Sequence, residues 1–210
     1  VAAAQPVRLA GDVSGLRVLD LCAAPGGKTL QLAAAGADVT ALDNSEHRLL
    51  RLRENLARTE LSAKIIAADA QIWAPQVPFD LILLDAPCSA SGTIRRHPDL
   101  PFIKTMEDIR PLLELQAALL NRALGWLAPN GRLIYCTCSL LPAEGEAQIT
   151  RLLAKRRKFP QIRPALPEGL EPGWMDAAGN LRLRPDYWAA KGGMDGFFAA
   201  VLQAGSAPQP

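Results

Sequence analysis

Arg17-Val-Leu-Asp-Leu-Cys-Ala-Ala-Pro-Gly-Gly-Lys-Thr29 is the stretch that decides the fold. A short apolar run closes on an acid, then turns through Pro25-Gly26-Gly27 into a segment of helical composition. Proline fixes one backbone angle and glycine admits conformations closed to other residues, so the turn is tight and main chain can approach a ligand closely. The same phrase, an apolar strand ending in aspartate, returns at Val39-Thr-Ala-Leu-Asp43, Ile65-Ile-Ala-Ala-Asp69 and Leu81-Ile-Leu-Leu-Asp85. Runs that are apolar at every position, not at alternate ones, suit strands covered on both faces.

Between these strands the sequence predicts helices over Lys28–Ala35 and Ser45–Arg58, with Ser45 as N-cap. A longer helix is expected over Met106–Leu127, stopped by Pro129-Asn130-Gly131. A fifth strand follows over Arg132–Cys136, a helix over Ala143–Arg157 and a last strand over Phe197–Leu202. Strand–helix alternation of this kind predicts an α/β fold, a doubly wound, mostly parallel sheet that binds ligands at the carboxyl ends of its strands. All four aspartates are expected on that edge. Residues 1–203 are expected to form one catalytic domain and residues 204–210 a disordered tail.

The chain has 210 residues, 49% of them apolar, enough for one large core. No apolar run approaches the roughly 20 residues that span a bilayer, and no secretory leader is visible. The expectation is therefore a cytoplasmic monomer with no membrane partner. Because the first residue is Val1 and not Met, a preceding segment is expected. The net charge of +2 is too small to identify a nucleic-acid partner, but its distribution is uneven. Arg151, Lys155, Arg156, Arg157, Lys158 and Arg163 lie in one stretch without an acid, and Arg95-Arg96-His97 forms a second basic spot. Either a solvated helix face or a phosphate-tracking surface produces such runs. On the second reading Arg95, Arg96, His97, Lys155 and Arg156 are the candidate RNA contacts. Four scattered cysteines without secretory context argue against disulfides, and their spacing lacks the paired ligands of structural zinc, so no metal is expected.

Three ligands compete for the 22–29 loop. A dinucleotide needs G-x-G-x-x-G, a spacing absent here. A P-loop needs G-x-x-x-x-G-K-[ST]; Gly27-Lys28-Thr29 supplies its end, but the required first glycine falls on Cys22. The third ligand is S-adenosyl-L-methionine, with its methionine end near the loop. Asp43 then suits the ribose diol, and Asp69 the adenine amino group.

Two further segments point to the reaction, Asp85-Ala-Pro-Cys88-Ser and Tyr135-Cys-Thr-Cys138-Ser139. Carbon 5 of cytosine is a poor nucleophile. A thiolate adding at carbon 6 makes the ring electron-rich enough at carbon 5 to attack a methyl group. Asp85 is placed to hydrogen-bond or protonate ring nitrogen 3 as charge develops. Cys88 and Cys138 are read as chemical thiols, Cys22 and Cys136 as simply buried ones. A DNA cytosine methyltransferase, with its nucleophile in a Pro-Cys loop, would use Cys88. A binding module without turnover is the reading outside enzymes.

At these residues the chain resembles the RNA cytosine-5 methyltransferase family, over about Leu16 to Leu202 and most of all its bacterial 16S ribosomal RNA branch. The first family motif is similar to Cys22-Ala-Ala-Pro-Gly-Gly-Lys-Thr29. The two cysteine motifs resemble Asp85-Ala-Pro-Cys88-Ser and Thr137-Cys138-Ser139. Arg95-Arg96-His97-Pro98 and Gly192-Gly-Met-Asp-Gly-Phe-Phe198 are also similar to family segments. The resemblance implies methyl transfer from S-adenosyl-L-methionine to a cytosine in ribosomal RNA, with transfer RNA as the other substrate. It implies Cys138 as nucleophile, Cys88 in release of the covalent product, Asp85 against the target base and Lys28 beside the site. The implied cofactor contacts are Cys22, Ala23, Ala24, Pro25, Gly26, Gly27, Lys28, Asp43, Asp69 and Asp85. It also implies that an N-terminal helical RNA-binding domain precedes this chain. Two departures stand out. Ser89-Ala90-Ser91-Gly92 replaces the usual Ser-Gly-x-Gly, and Gly145 stands where asparagine is usual.

Overall fold

Strands apolar on both faces need cover on both, and the described residues, 1–156 and 158–206, supply it. In chain order the elements of this computed structural model are α1 (Gln5–Leu9), β1 (Arg17–Leu21), α2 (Gly27–Ala34), β2 (Asp38–Asp43), α3 (Glu46–Thr59), β3 (Lys64–Ala67) and β4 (Phe79–Asp85). There follow α4 (Leu100–Ile103), α5 (Met106–Leu124), β5 (Leu127–Thr137), α6 (Glu146–Lys155), β6 (Gln161–Ile162), β7 (Leu181–Leu183) and β8 (Phe197–Gln203). The strands form one sheet in the order β3-β2-β1-β4-β5-β8-β6, with β7 also on β8. Strands β1 to β5 are parallel, and β8 runs antiparallel to β5, β6 and β7. The expected doubly wound, mostly parallel sheet is present. Its winding reverses between β1 and β4, where departing loops leave a crevice at the strands' carboxyl ends.

Alternation along β4 shows how the two faces are filled. Leu81 and Leu83 pack with Val7, Leu9 and Leu32 on the α1–α2 side. Ile82 and Leu84 pack with Leu119, Leu120 and Ala123 of α5 on the other. On α3, Leu49, Leu52 and Leu56 make the buried stripe, and the Ser45 hydroxyl caps the helix by accepting from Arg48 N–H at 3.3 Å. Thr105 and Asp108 close a capping box at the start of α5.

Several boundaries differ from the sequence expectation. Helix α5 ends at Leu124, not Leu127, because Trp126 and Leu127 already pair with Phe79 of β4. Pro129-Asn130-Gly131 is therefore not a helix stop but an irregularity inside β5. Phe79 opposes Leu127 and Leu81 opposes Arg132, so the intervening residues loop out, with Asn130 at φ 60°. Strand β3 stops at Ala67, two positions short of Asp69. Helix α6 begins only at Glu146, after a 3-10 turn over Pro142–Glu144. Elements α1, β6 and β7 carry too little periodicity to be read. Of the expected loose tail, Ala204 N–H donates to Gly131 O and Gly205 O accepts from Asn130 N–H, while residues 207–210 lie outside the described residues. Arg157 of the basic run lies outside them too.

Candidate active site

The β4–β5 register sets Asp85 opposite Cys136, so the loops that follow both strands leave side by side. Cys88 Sγ and Cys138 Sγ meet at 3.5 Å. Main chain locks the approach: Gly92 N–H donates to Cys138 O at 2.9 Å, and Gly196 N–H donates to Gly92 O at 2.7 Å. The two thiols are not equivalent. Cys138 has its pKa lowered, chiefly by the hydrogen bond it shares with Cys88; burial and Asp85 oppose this. Cys88 is raised well above an ordinary thiol, first by the same hydrogen bond and then by its partial burial. The thiolate, the reactive form, is thus favoured at Cys138 and disfavoured at Cys88. Cys136 is fully buried, raised by that burial, and 3.5 Å from Asp85 Oδ1.

Lys28 reaches from the first turn of α2 to Asp85, Nζ to Oδ2 2.7 Å. Burial pulls the lysine pKa down, but Asp85, Cys136 and Asp20 together outweigh it and the net shift is upward, so Lys28 remains a cation. Asp20 does not share the ligand edge with the other three strand aspartates. It lies under the loop, fully buried, with Oδ2 accepting from the Thr29 hydroxyl at 2.6 Å, and burial pushes it to about 7.

The 22–29 loop is shaped by Gly26, whose φ of 105° is a glycine conformation and whose added Cβ would meet Leu52 Cγ at 3.0 Å. Asp43 ties that loop to the end of β2. Its carboxylate accepts from Ala24 N–H at 3.1 Å and Ser45 N–H at 3.0 Å, and lies 3.5 Å from the Arg48 guanidinium. Arg48 also donates to Ala24 O.

A cleft of about 300 Å³ opens at this edge. Its walls include Asp43, Asp69 and Asp85, the sulfur-bearing Cys22, Cys88 and Cys138, and apolar Leu42, Leu115 and Leu119. Cys22, read from sequence as simply buried, is partly exposed to it, though burial raises its thiol to about 12. Ala23, Ala24, Pro25, Gly26, Gly27 and Lys28 are not among the walls; Lys28 is joined to them through Asp85. A larger cavity of about 420 Å³ lies at the opposite, amino ends of the strands, beside Arg17, Asp38, Lys64 and Phe79, remote from the cysteines.

The basic candidates fall in two places. Arg95, Arg96 and His97 are exposed and follow the Gly92 turn that grips Cys138, with Arg96 2.8 Å and Arg95 3.8 Å from Asp195. Lys155 and Arg156 are exposed at the end of α6 and do not border the cleft. Sequence reading missed Arg48, Leu115 and Leu119, whose helical positions gave no sign of facing a ligand. It also missed the buried group Ser89, Ser139 and Glu144, since single polar residues in loops look solvated until the loops fold together. Ala90 replaces the family's usual glycine yet holds φ 58°, the left-handed region that glycine occupies without strain. Among the described residues, no helix is long and apolar enough to cross a membrane, and no cluster of three His, Cys, Asp or Glu could hold a metal.

Comparison with known proteins places this geometry. The family model described as 16S rRNA methyltransferase RsmB/F matches residues 11–203. A Vibrio cholerae protein named ribosomal RNA small subunit methyltransferase B is 42% identical over 194 residues, 90% of this chain and 42% of that protein. Its Klebsiella pneumoniae namesake is 48% identical over 147 residues, 68% of this chain and 34% of that protein. The chain thus spans less than half the length of these curated relatives. Among solved structures, NSun6 from Pyrococcus horikoshii, crystallised with SFG, superposes with a TM-score of 0.84 at 27% identity, over 99% of this chain and 52% of that one. The sheet and helices are those of the Rossmann-like class I methyltransferases, a likeness that extends in fold to the N-methyltransferase NodS from Bradyrhizobium japonicum at a TM-score of 0.58 and 16% identity, over 96% of this chain and 93% of that one. By motif, fold and matched length, the chain belongs to the 16S rRNA methyltransferase RsmB/F family.

Proposed function

We propose that this chain carries the catalytic site of an S-adenosyl-L-methionine-dependent methyltransferase acting on carbon 5 of a cytosine in 16S ribosomal RNA. The observation that carries the reading is the Cys88–Cys138 sulfur contact at the mouth of a cleft walled by three carboxylates. Those carboxylates suit a ligand bearing positive charge and hydroxyl donors, and they repel a triphosphate. Leu42, Leu115 and Leu119 provide apolar surface for a flat base. Asp43 is the acceptor for the ribose diol and Asp69 faces the base. When bound, S-adenosyl-L-methionine supplies an electrophilic methyl group.

The protein's part begins at Cys138. Its thiolate forms a bond to carbon 6, which pushes the ring electrons toward carbon 5, and carbon 5 takes the methyl group. Ring nitrogen 3 takes a proton from water as charge gathers there, and Asp85, held by Lys28, accepts the resulting N–H hydrogen bond. A water molecule in the cleft then takes the carbon 5 proton, the double bond re-forms, and the sulfur–carbon bond breaks with its electron pair returning to Cys138. Cys88, kept protonated beside Cys138, hydrogen-bonds the departing Cys138 thiolate and so serves this release step.

Calorimetry tests the cofactor assignment. S-adenosylhomocysteine is expected to bind and ATP not to. Asp43→Ala should weaken binding by about 1.5–3 kcal/mol, the range for hydrogen bonds involving charged groups. An unchanged dissociation constant removes the ribose assignment, and ATP binding in its place would return the loop to nucleotide hydrolysis.

The same proposal assigns Arg95, Arg96, His97, Lys155 and Arg156 to RNA phosphates. Binding of a ribosomal RNA fragment should weaken with salt, each phosphate contact adding about 0.7–0.9 to the log–log slope. Replacing the four arginine and lysine residues by glutamine should flatten that slope. If affinity and slope both hold, these side chains are solvated surface.

A further inference from the structure

Glu144 is fully buried and sits at no wall of the cleft, yet its carboxyl group accepts from three donors. Oε1 takes Ser89 N–H at 2.9 Å and Gln116 Nε2 at 3.1 Å; Oε2 takes the Ser89 hydroxyl at 2.5 Å. None of the three is a cation. A carboxyl group taken wholly out of water is costly unless its acceptors are satisfied, so these donors are held firmly in place. Ser89 directly follows Cys88. Its hydroxyl also lies 3.3 Å from that of Ser139, which directly follows Cys138, and Ser91 completes the group at 3.1 Å from Ser139. The shell around Glu144 is rigid. Gln116 of α5 also donates to Pro87 O at 2.9 Å and accepts from Gln148 of α6 at 3.1 Å, and the Tyr135 hydroxyl donates to Glu144 O at 2.7 Å. Apart from the Tyr135 bond, which fixes the Glu144 main chain, every bond in this set ends on a residue that flanks one of the two thiols or on a helix packed behind them. An apolar residue of the same volume would fill the space but would leave Ser89 free to turn.

We infer that Glu144 is a positioning residue for the two-thiol chemistry: through Ser89 and Ser139 it holds the Cys88 thiol within reach of the Cys138 sulfur, so that Cys88 serves release of the product from Cys138. The inference rests on the covalent reading proposed above. It concerns geometry alone, since Glu144 touches neither sulfur. Loss of the carboxyl group therefore slows release and spares addition. Glu144→Gln keeps an acceptor for Ser89 N–H, and its amide can donate to a turned Ser89 hydroxyl, so it retains most of the arrangement.

The test uses an unmethylated small-subunit ribosomal RNA transcript, with Cys88→Ala beside the new variants. Glu144→Ala should lower kcat by about ten- to a hundredfold, the scale of displacing a reacting group by a fraction of an ångström to one ångström. KM for RNA and for methyl donor should stay near wild type, and an RNA-shifted band should accumulate on a denaturing gel. Glu144→Gln should recover most of the turnover and lose most of the band. A merely structural role would lower thermal stability and the active fraction without trapping an adduct, and that result overturns the inference. If Glu144→Ala does not fold, Ser89→Ala decides: a trapped adduct supports the link, its absence refutes it. Absence of adduct in Cys88→Ala itself removes the covalent reading, whereas adduct there and none in the Glu144 or Ser89 variants removes only the inference.

Discussion

Cys138→Ala is expected to abolish methylation and to form no covalent RNA complex, whereas Cys88→Ala is expected to transfer one methyl group and then stall as a protein–RNA adduct. The difference follows from the order of events. A release defect is visible only after addition, so the double variant should behave like Cys138→Ala. The two sulfurs already differ: within their shared hydrogen bond the pKa of Cys138 is lowered and that of Cys88 is raised. Activity of wild-type and variant chains on unmethylated ribosomal RNA, followed by a denaturing gel, reads both steps. An adduct accumulating in Cys138→Ala would make Cys88 the nucleophile, in the manner of a DNA cytosine methyltransferase. Retained activity without adduct in either variant would remove covalent catalysis.

The second large effect is expected at a residue with no side chain. A Cβ on Gly92 would lie 2.2 Å from Gly196 O and 2.8 Å from Cys138 O, both rigid main-chain atoms. Gly92→Ala must therefore push the Cys138 loop and the Gly196 loop away from the Cys88 loop and break the bonds that lock them. A displacement of one ångström at a reacting group costs about a hundredfold in rate, and the overlap here is at least of that size. The expected result is a loss of that order in single-turnover methyl transfer, with methyl-donor binding retained because the cleft's acidic wall is built elsewhere. Gly173→Ala, where an added Cβ meets nothing within 4 Å, is the control and should leave activity unchanged. Wild-type rates in Gly92→Ala would show that the loops are not held as described.

How much of this was legible in the sequence depends on the kind of signal. Strands β1, β2 and β4 were readable because burial on both faces demands apolar residues throughout, and the repeated aspartates marked the ends of β2 and β4, while β1 runs one residue past Asp20. The Ser45 cap was readable because capping is local chemistry. Pro129-Asn130-Gly131 misled because the same residues that end a helix also make a bulge, and only pairing with Phe79 decides between them. Asp43, Asp69, Asp85, Cys88 and Cys138 were legible as site candidates from strand ends and motif resemblance, and they converge on one cleft. Arg48 and Glu144 were not. Each pairs with a residue distant in the chain, Arg48 with Ala24 and Glu144 with Ser89, and pairings across loops leave no periodic trace. Asp20 carries the same strand-end signature as the others, yet faces Thr29 beneath the loop, because which side of a strand a residue faces depends on the register of its neighbours.

If Cys138 bonds to the RNA base, the sulfur that carries the base can be identified chemically. Cys88→Ala protein should be incubated with S-adenosyl-L-methionine and unmethylated small-subunit ribosomal RNA, denatured, digested with nuclease and protease, and the peptides analysed by mass spectrometry. With Cys138 as nucleophile, a methylated cytidine nucleotide is expected on the peptide that contains Cys138. A nucleotide on any other residue, or a methylated RNA with no attached peptide, would contradict it.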